Sequence, residues 1–170
     1  MKKFVVLFLL SFMFVGCWPT SISFQDAGSM PAEWKSFSIL PIQNNAPNAP
    51  ISYPTLLSED LRDGIQNNTR LKLSSQSNGG EIRIEGVVTN YTVTPIALQP
   101  GDNAAKNRLT IQTSYTFYIT HPKVEEMTLS CSRFADFPSS TDINSVEKEL
   151  INDINKQTVQ DVINKLLSNW

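Results

Sequence analysis

Few side chains in this chain could do covalent or acid–base chemistry, and their positions narrow what that chemistry could be. There are two cysteines, Cys17 and Cys131, and one histidine, His121. The histidine lies in the turn-like run His121-Pro122-Lys123, whereas a Ser/His/Asp site needs an oriented and partly enclosed imidazole. The acidic pairs Asp60–Asp63 and Glu125–Glu126 read as solvated faces. No H-E-x-x-H, C-x-x-C, Gly-rich phosphate loop or EF-hand pattern occurs, so no catalytic residue, metal ligand set or dissociable cofactor is expected. Two features remain. Cys17 closes a long apolar run, where a thiol can carry a covalent lipid. Lys106 and Arg108 flank the start of the longest alternating segment, and Arg133 sits where a later segment changes phase. Arg70 and Lys72 lie on a shorter segment. Cations beside an apolar surface suit the phosphates of an acylated glycolipid, although solvated surface charge is the simpler reading of any one of them.

The elements that must position these residues begin at the N-terminus. Lys2 and Lys3 precede an apolar stretch from Phe4 to Val15, broken only by Ser11, and Gly16-Cys17 follows. This is the layout of a secretory signal, and the run is short beside the roughly 20 residues of a membrane span. The ending Phe14-Val15-Gly16-Cys17 resembles the bacterial lipobox, in which a small residue precedes the cysteine; phenylalanine stands where leucine is more frequent. The resemblance implies diacylglyceryl transfer to the Cys17 thiol, cleavage between Gly16 and Cys17, and acylation of the new amine. Each buried CH₂ contributes roughly 0.8 kcal/mol, so several chains hold a protein firmly on a bilayer. Trp18 replaces the aspartate that marks inner-membrane retention, which favours the periplasmic face of the outer membrane.

Loss of sixteen residues would leave 154 of 170, enough for one domain with a real core. The two signal lysines would leave too, so 12 basic residues would face 16 acidic ones, a net charge near −4. That balance argues against a nucleic-acid partner. With Cys17 lipidated, Cys131 has no disulfide partner and reads as a small buried hydrophobe.

Residues 17–33 read as a tether and 34–170 as a single domain. Trp34 to Ile42 alternates like a strand, and 44–50 is a loop. A helix is expected from about Pro54 to Asn67, with Leu57, Leu61 and Ile65 as its stripe and Leu56 beside it. Arg70 to Ser74 reads as a short strand and Asn78-Gly79-Gly80 as a turn. In the next strand Ile82 and Ile84 share a face, then Tyr91 and Val93 take the opposite parity, which predicts a bulge between Gly86 and Asn90. After a polar loop at 95–107, odd residues from Leu109 to Ile119 are apolar and even ones polar, the mark of a sheet covered on one side. Met127, Leu129 and Cys131 continue the dry face; Phe134 and Phe137 suggest another slip. A long helix from about Asn144 to Ser168 carries Val146, Leu150, Ile154, Thr158, Val162 and Leu166, with Asn144 and Glu147 as an N-cap pair. The order β-α-β-β-β-β-α predicts an α+β two-layer sandwich: a mostly antiparallel or mixed sheet of about four to five strands with two amphipathic helices on one face.

Several segments, taken in order, resemble the lipopolysaccharide-assembly lipoprotein family LptE. They are Phe37-Ser38-Ile39-Leu40-Pro41-Ile42 with Asn44 to Pro47, Pro54-Thr55-Leu56, and Leu71-Lys72-Leu73. Further on come Glu85 through Pro95, Asn107 through Ile111, Ser132 through Phe137, and the terminal helix to Trp170. The resemblance spans nearly all of the chain after the signal. It implies a small sheet with two helices on one face, no catalysis, and no cofactor beyond the lipid on Cys17. It also implies residence inside an LptD-like outer-membrane β-barrel, help in assembling that barrel, and contact with lipopolysaccharide. No binding residue is carried over from the family; Lys106, Arg108 and Arg133 are candidates from charge and position alone. The alternative is a generic outer-membrane lipoprotein that binds another envelope protein or peptidoglycan.

Overall fold

A computed structural model describes residues 30–76, 78–96 and 105–168. Cys17, Gly16 and most of the expected tether therefore lie outside the described residues. The elements run β1 (Ser36–Ile39), β2 (Gln43–Asn44), α1 (Tyr53–Asn68), β3 (Lys72–Leu73), β4 (Ile82–Ile96), β5 (Lys106–Ile119), β6 (Glu125–Pro138) and α2 (Ile143–Leu167). They form one mixed sheet in the order β3-β1-β4-β5-β6, with β2 also paired to β4. β4, β5 and β6 are antiparallel, while β1 pairs parallel with β3 and β4, and β2 parallel with β4. This is the expected α+β sandwich, with the two-residue β2 added. The end of the expected tether joins the domain: Met30 is buried, and Arg70 Nη2 donates to the carbonyls of Met30 and Pro31.

The core lies between one sheet face and the two helices. On α1, Leu57, Leu61 and Ile65 recur at helical spacing and are fully buried; each such side chain contributes roughly 1.5–3 kcal/mol. They meet Ile82, Ile84, Leu109, Ile111, Tyr115 and Phe117 from the sheet in one cluster. From α2 come Ile154, Val162 and Leu166, also fully buried. The edge of this layer is closed by Trp34, whose indole N–H donates to the His121 carbonyl at 2.7 Å. Glu81 Oε2 accepts from both the amide and the hydroxyl of Ser36 at 2.7 Å, which pins the start of β4 to β1.

One detail agrees with the sequence reading and three differ. The bulge in β4 falls between Val88 and Asn90, within the expected interval. In β6, by contrast, there is no slip: its pairing with β5 is continuous from Glu125 to Pro138. Phe137 stays on the dry face, and Phe134 stands on the wet face beneath the Arg108 guanidinium. An aromatic residue on a polar face had imitated a phase change. The polar loop is shorter than 95–107, because the β4–β5 ladder extends to Ile96↔Lys106; residues 97–104 lie outside the described residues. Finally, Asp142 rather than Asn144 caps α2, its carboxylate accepting from the Asn144 amide at 3.1 Å. Glu147 instead accepts from the Tyr91 hydroxyl at 2.7 Å.

The helices touch at Gly64. A Cβ placed there would lie 2.2 Å from Val159 Cγ1. Alanine is intrinsically better than glycine in a helix by roughly 0.5–1 kcal/mol, but overpacking of this kind costs roughly 1–3 kcal/mol. The steric cost wins. Gly64→Ala is expected to lower the melting temperature, and Gly64→Ala with Val159→Ala to recover part of the loss; calorimetry of the three proteins checks this.

Candidate functional site

The three candidate cations are not brought together. Lys106 and Arg108 share the wet face of β5 at the hairpin end, two residues apart on one strand. Arg133 has odd parity on β6 and stands opposite Ile111 on the dry face. It makes a bidentate pair with Asp161 of α2, the Nε–Oδ2 arm at 2.6 Å. That pair, whose aspartate hydrogen bonds raise the Arg133 pKa, fastens α2 to β6.

Arg108 is also engaged. Its guanidinium donates to both carboxylate oxygens of Asp136, at 2.7 and 2.9 Å, across a direct β5–β6 pair. It lies 3.6 Å from the Phe134 ring centroid, a cation–π stack. The hydrogen bonds from Arg108 hold the Asp136 carboxyl below its ordinary pKa, and Lys106 adds to that through its charge. Lys106 itself is exposed, with no hydrogen bond or ion pair among the described residues. The hairpin end thus presents one exposed ammonium beside a guanidinium fixed in orientation, its side chain 35 % exposed. An exposed pair of this kind adds little to stability, so its residues are open to another use.

Beyond these cations the wet face is a field of small polar groups. Cross-strand neighbours there are Thr92↔Thr110, Gln112↔Ser132, Ser114↔Ser130 and Thr116↔Thr128. At its far end Arg83 lies 4.4 Å from the Tyr118 ring centroid. This face offers hydroxyl donors and acceptors, and among the described residues no nucleophile and base are assembled on it. Among the described residues no group of three or more His, Cys, Asp or Glu could hold a metal ion, and no helix is long and apolar enough to cross a membrane.

Sequence reasoning missed a buried polar relay. Tyr53 OH donates to Asn155 Oδ1 at 3.0 Å, and Asn155 Nδ2 donates to Asp60 Oδ2 at 2.6 Å. Asn155 is 1 % exposed. Its signal was available, for an asparagine one turn after Ile151, inside a broad apolar stripe, must find partners when buried. Burial, chiefly, drives the Tyr53 hydroxyl pKa strongly upward, so it remains a donor.

Comparison with known proteins decides the family. The family model described as LptE, Lipopolysaccharide-assembly, matches residues 34–166. The chain belongs to the LptE family. The match spans every element from β1 to nearly the end of α2, so the two-layer sheet and helices are the family's fold. LptE proteins are non-enzymatic lipopolysaccharide-assembly lipoproteins of the cell envelope. Among solved structures, uncharacterized lipoprotein B from Nitrosomonas europaea is similar in fold, with a TM-score of 0.52 and 14 % identity over 89 % of this chain and 91 % of that one. A protein from Xanthomonas campestris gives 0.51 and 11 % over 82 % and 87 %. The rare lipoprotein B of Shewanella oneidensis gives 0.47 and 14 % over 79 % and 95 %. No curated protein matches the chain.

Cys131 has no place in such a site. It is buried under α2, and burial above all, with Asp161 adding, pushes its pKa up to about 11. The thiolate is the reactive form. Iodoacetamide at pH 8 is therefore expected to leave Cys131 unmodified in the folded protein and to alkylate it once denaturant is added. Intact-mass spectrometry reads both states, and rapid labelling without denaturant would contradict the assignment.

Proposed function

We propose that this chain is the lipid-anchored subunit of an outer-membrane lipopolysaccharide translocon. In this reading Cys17 carries the anchor, the domain stands on the periplasmic side, and it plugs and helps assemble an LptD-like β-barrel. Lipopolysaccharide is met at the β4–β5 hairpin end, where Lys106 and Arg108 pair with its phosphates. Family membership supports the assembly role. The observation that carries the contact assignment is the state of Lys106: an exposed cation at a sheet end, beside an oriented guanidinium and an exposed aromatic ring. Cations bind phosphate by charge-assisted hydrogen bonds, and binding residues sit most often at the loop ends of rigid scaffolds. Arg133 is left out, since it stands on the helix-covered side of the sheet, opposite Ile111, where it fastens α2 through Asp161.

The test separates the two cations. Lys106→Glu leaves the Arg108–Asp136 pair in place and should not change the melting temperature. It should weaken lipopolysaccharide binding by about ten-fold at low salt, equivalent to about 1.4 kcal/mol. The difference should shrink as salt rises, because exposed charges are screened within roughly 8–10 Å. Arg108→Gln should weaken binding as well. Wild-type affinity of both variants at low salt would remove this end of the sheet as the contact.

A further inference from the structure

A trough runs along the outside of the helix pair. Its wide end, about 710 Å³, opens between the N-terminal turns of α1 and α2. A second pocket of about 380 Å³ continues it and shares Asp60 and Asn152 with the first. Leu56 and Ile151 form the floor at the wide end, and Leu56 is 43 % exposed. Val159 and Ile163 carry the floor past the Gly64 contact. The walls are held in place from below by the Tyr53–Asn155–Asp60 relay.

The rim is acidic. Asp60, Asp63, Glu147 and Glu149 border the trough against Lys148 and Lys156, and Lys156 lies 3.6 Å from Asp153. Two helix N-termini contribute only about half a positive charge each, so the field over an occupant stays negative. Such a rim repels phosphate and anionic headgroups. It suits an occupant whose apolar ridge is bordered by cations.

Both walls are helices, whose backbone groups beyond the first turn are satisfied internally, so the trough offers no ladder of free groups to an extended strand. A second helix laid in the trough needs only side-chain anchors. We infer that this trough docks a partner's amphipathic helix, one with an apolar stripe flanked by lysine or arginine. The inference is independent of the glycolipid reading, which concerns cations and a ligand of opposite charge.

The test uses the lipidated chain in zwitterionic nanodiscs, with empty discs as reference. The probe is a labelled 18-residue leucine/lysine helical peptide read by fluorescence anisotropy. Asp63→Lys with Glu149→Lys should weaken binding by about ten-fold. Glu125→Lys with Glu126→Lys makes the same change in net charge at the β5–β6 turn and should alter it less than about two-fold. Leu56→Asp, at an exposed position, should also weaken binding, and serves should the double variant fail to fold. A leucine/glutamate peptide should bind the trough reversal better than wild type. Equal losses from the two charge reversals, or no loss from either trough variant, would overturn the inference. Binding of phosphatidylglycerol vesicles that Leu56→Asp abolishes would overturn it too, pointing to a lipid surface instead.

Discussion

Everything in this domain depends on burying one face of one sheet. β4, β5 and β6 are each fourteen or fifteen residues long and lie side by side. A face that wide exposes a large apolar area, and the hydrophobic effect makes its coverage the dominant favourable term in folding. Among the described residues, two helices cover it. They lie together on the same side, so along most of each long strand alternate residues face the core and the others water. The wet face follows as a consequence: threonine, serine and glutamine in rows, with charged and aromatic stacks at the two ends.

Hydrophobic burial is non-directional, and specific polar links set the registry of the layers. Glu81 ties β4 to Ser36 on β1; Tyr53 and Asp60 on α1 grip Asn155 on α2; Tyr91 on β4 holds Glu147; and Arg133 on β6 holds Asp161. Four links join five of the longer elements pairwise. Arg133 illustrates what this means for function. A cation that looks free in a sequence stands here on the covered side of the sheet, tied to a carboxylate of another element, and only the topology shows that placement.

Period and parity were legible in the amino-acid sequence because they are local. The alternation from Leu109 to Ile119 and the stripe Leu57-Leu61-Ile65 each report one face of one element, and both faces are where they were expected. The bulge before Tyr91 was legible for the same reason. What could not be read depends on distant residues. The parallel pairing of β1 with β4, the two-residue β2 and the commitment of Arg133 are facts of tertiary arrangement. Phe134 misled because its partner, Arg108, lies on another strand. At the candidate site, Lys106 and Arg108 were found by charge and position, whereas Asp136 and Phe134, which orient Arg108, were not.

On the proposed reading the domain offers two surfaces to partners: a hydroxyl-rich sheet face ending in cations, and an acidic trough between helices. Their opposite charges fit a subunit that holds an anionic glycolipid and a protein at once. The most direct measurement of that account is to solubilise outer membranes in mild detergent and purify the lipidated chain under its own affinity tag. Size-exclusion chromatography and mass spectrometry then identify what travels with it. The account predicts a stoichiometric complex with one large outer-membrane β-barrel, from which bound lipopolysaccharide is recovered. Recovery of the chain free of any barrel, or bound to peptidoglycan fragments instead, would contradict it.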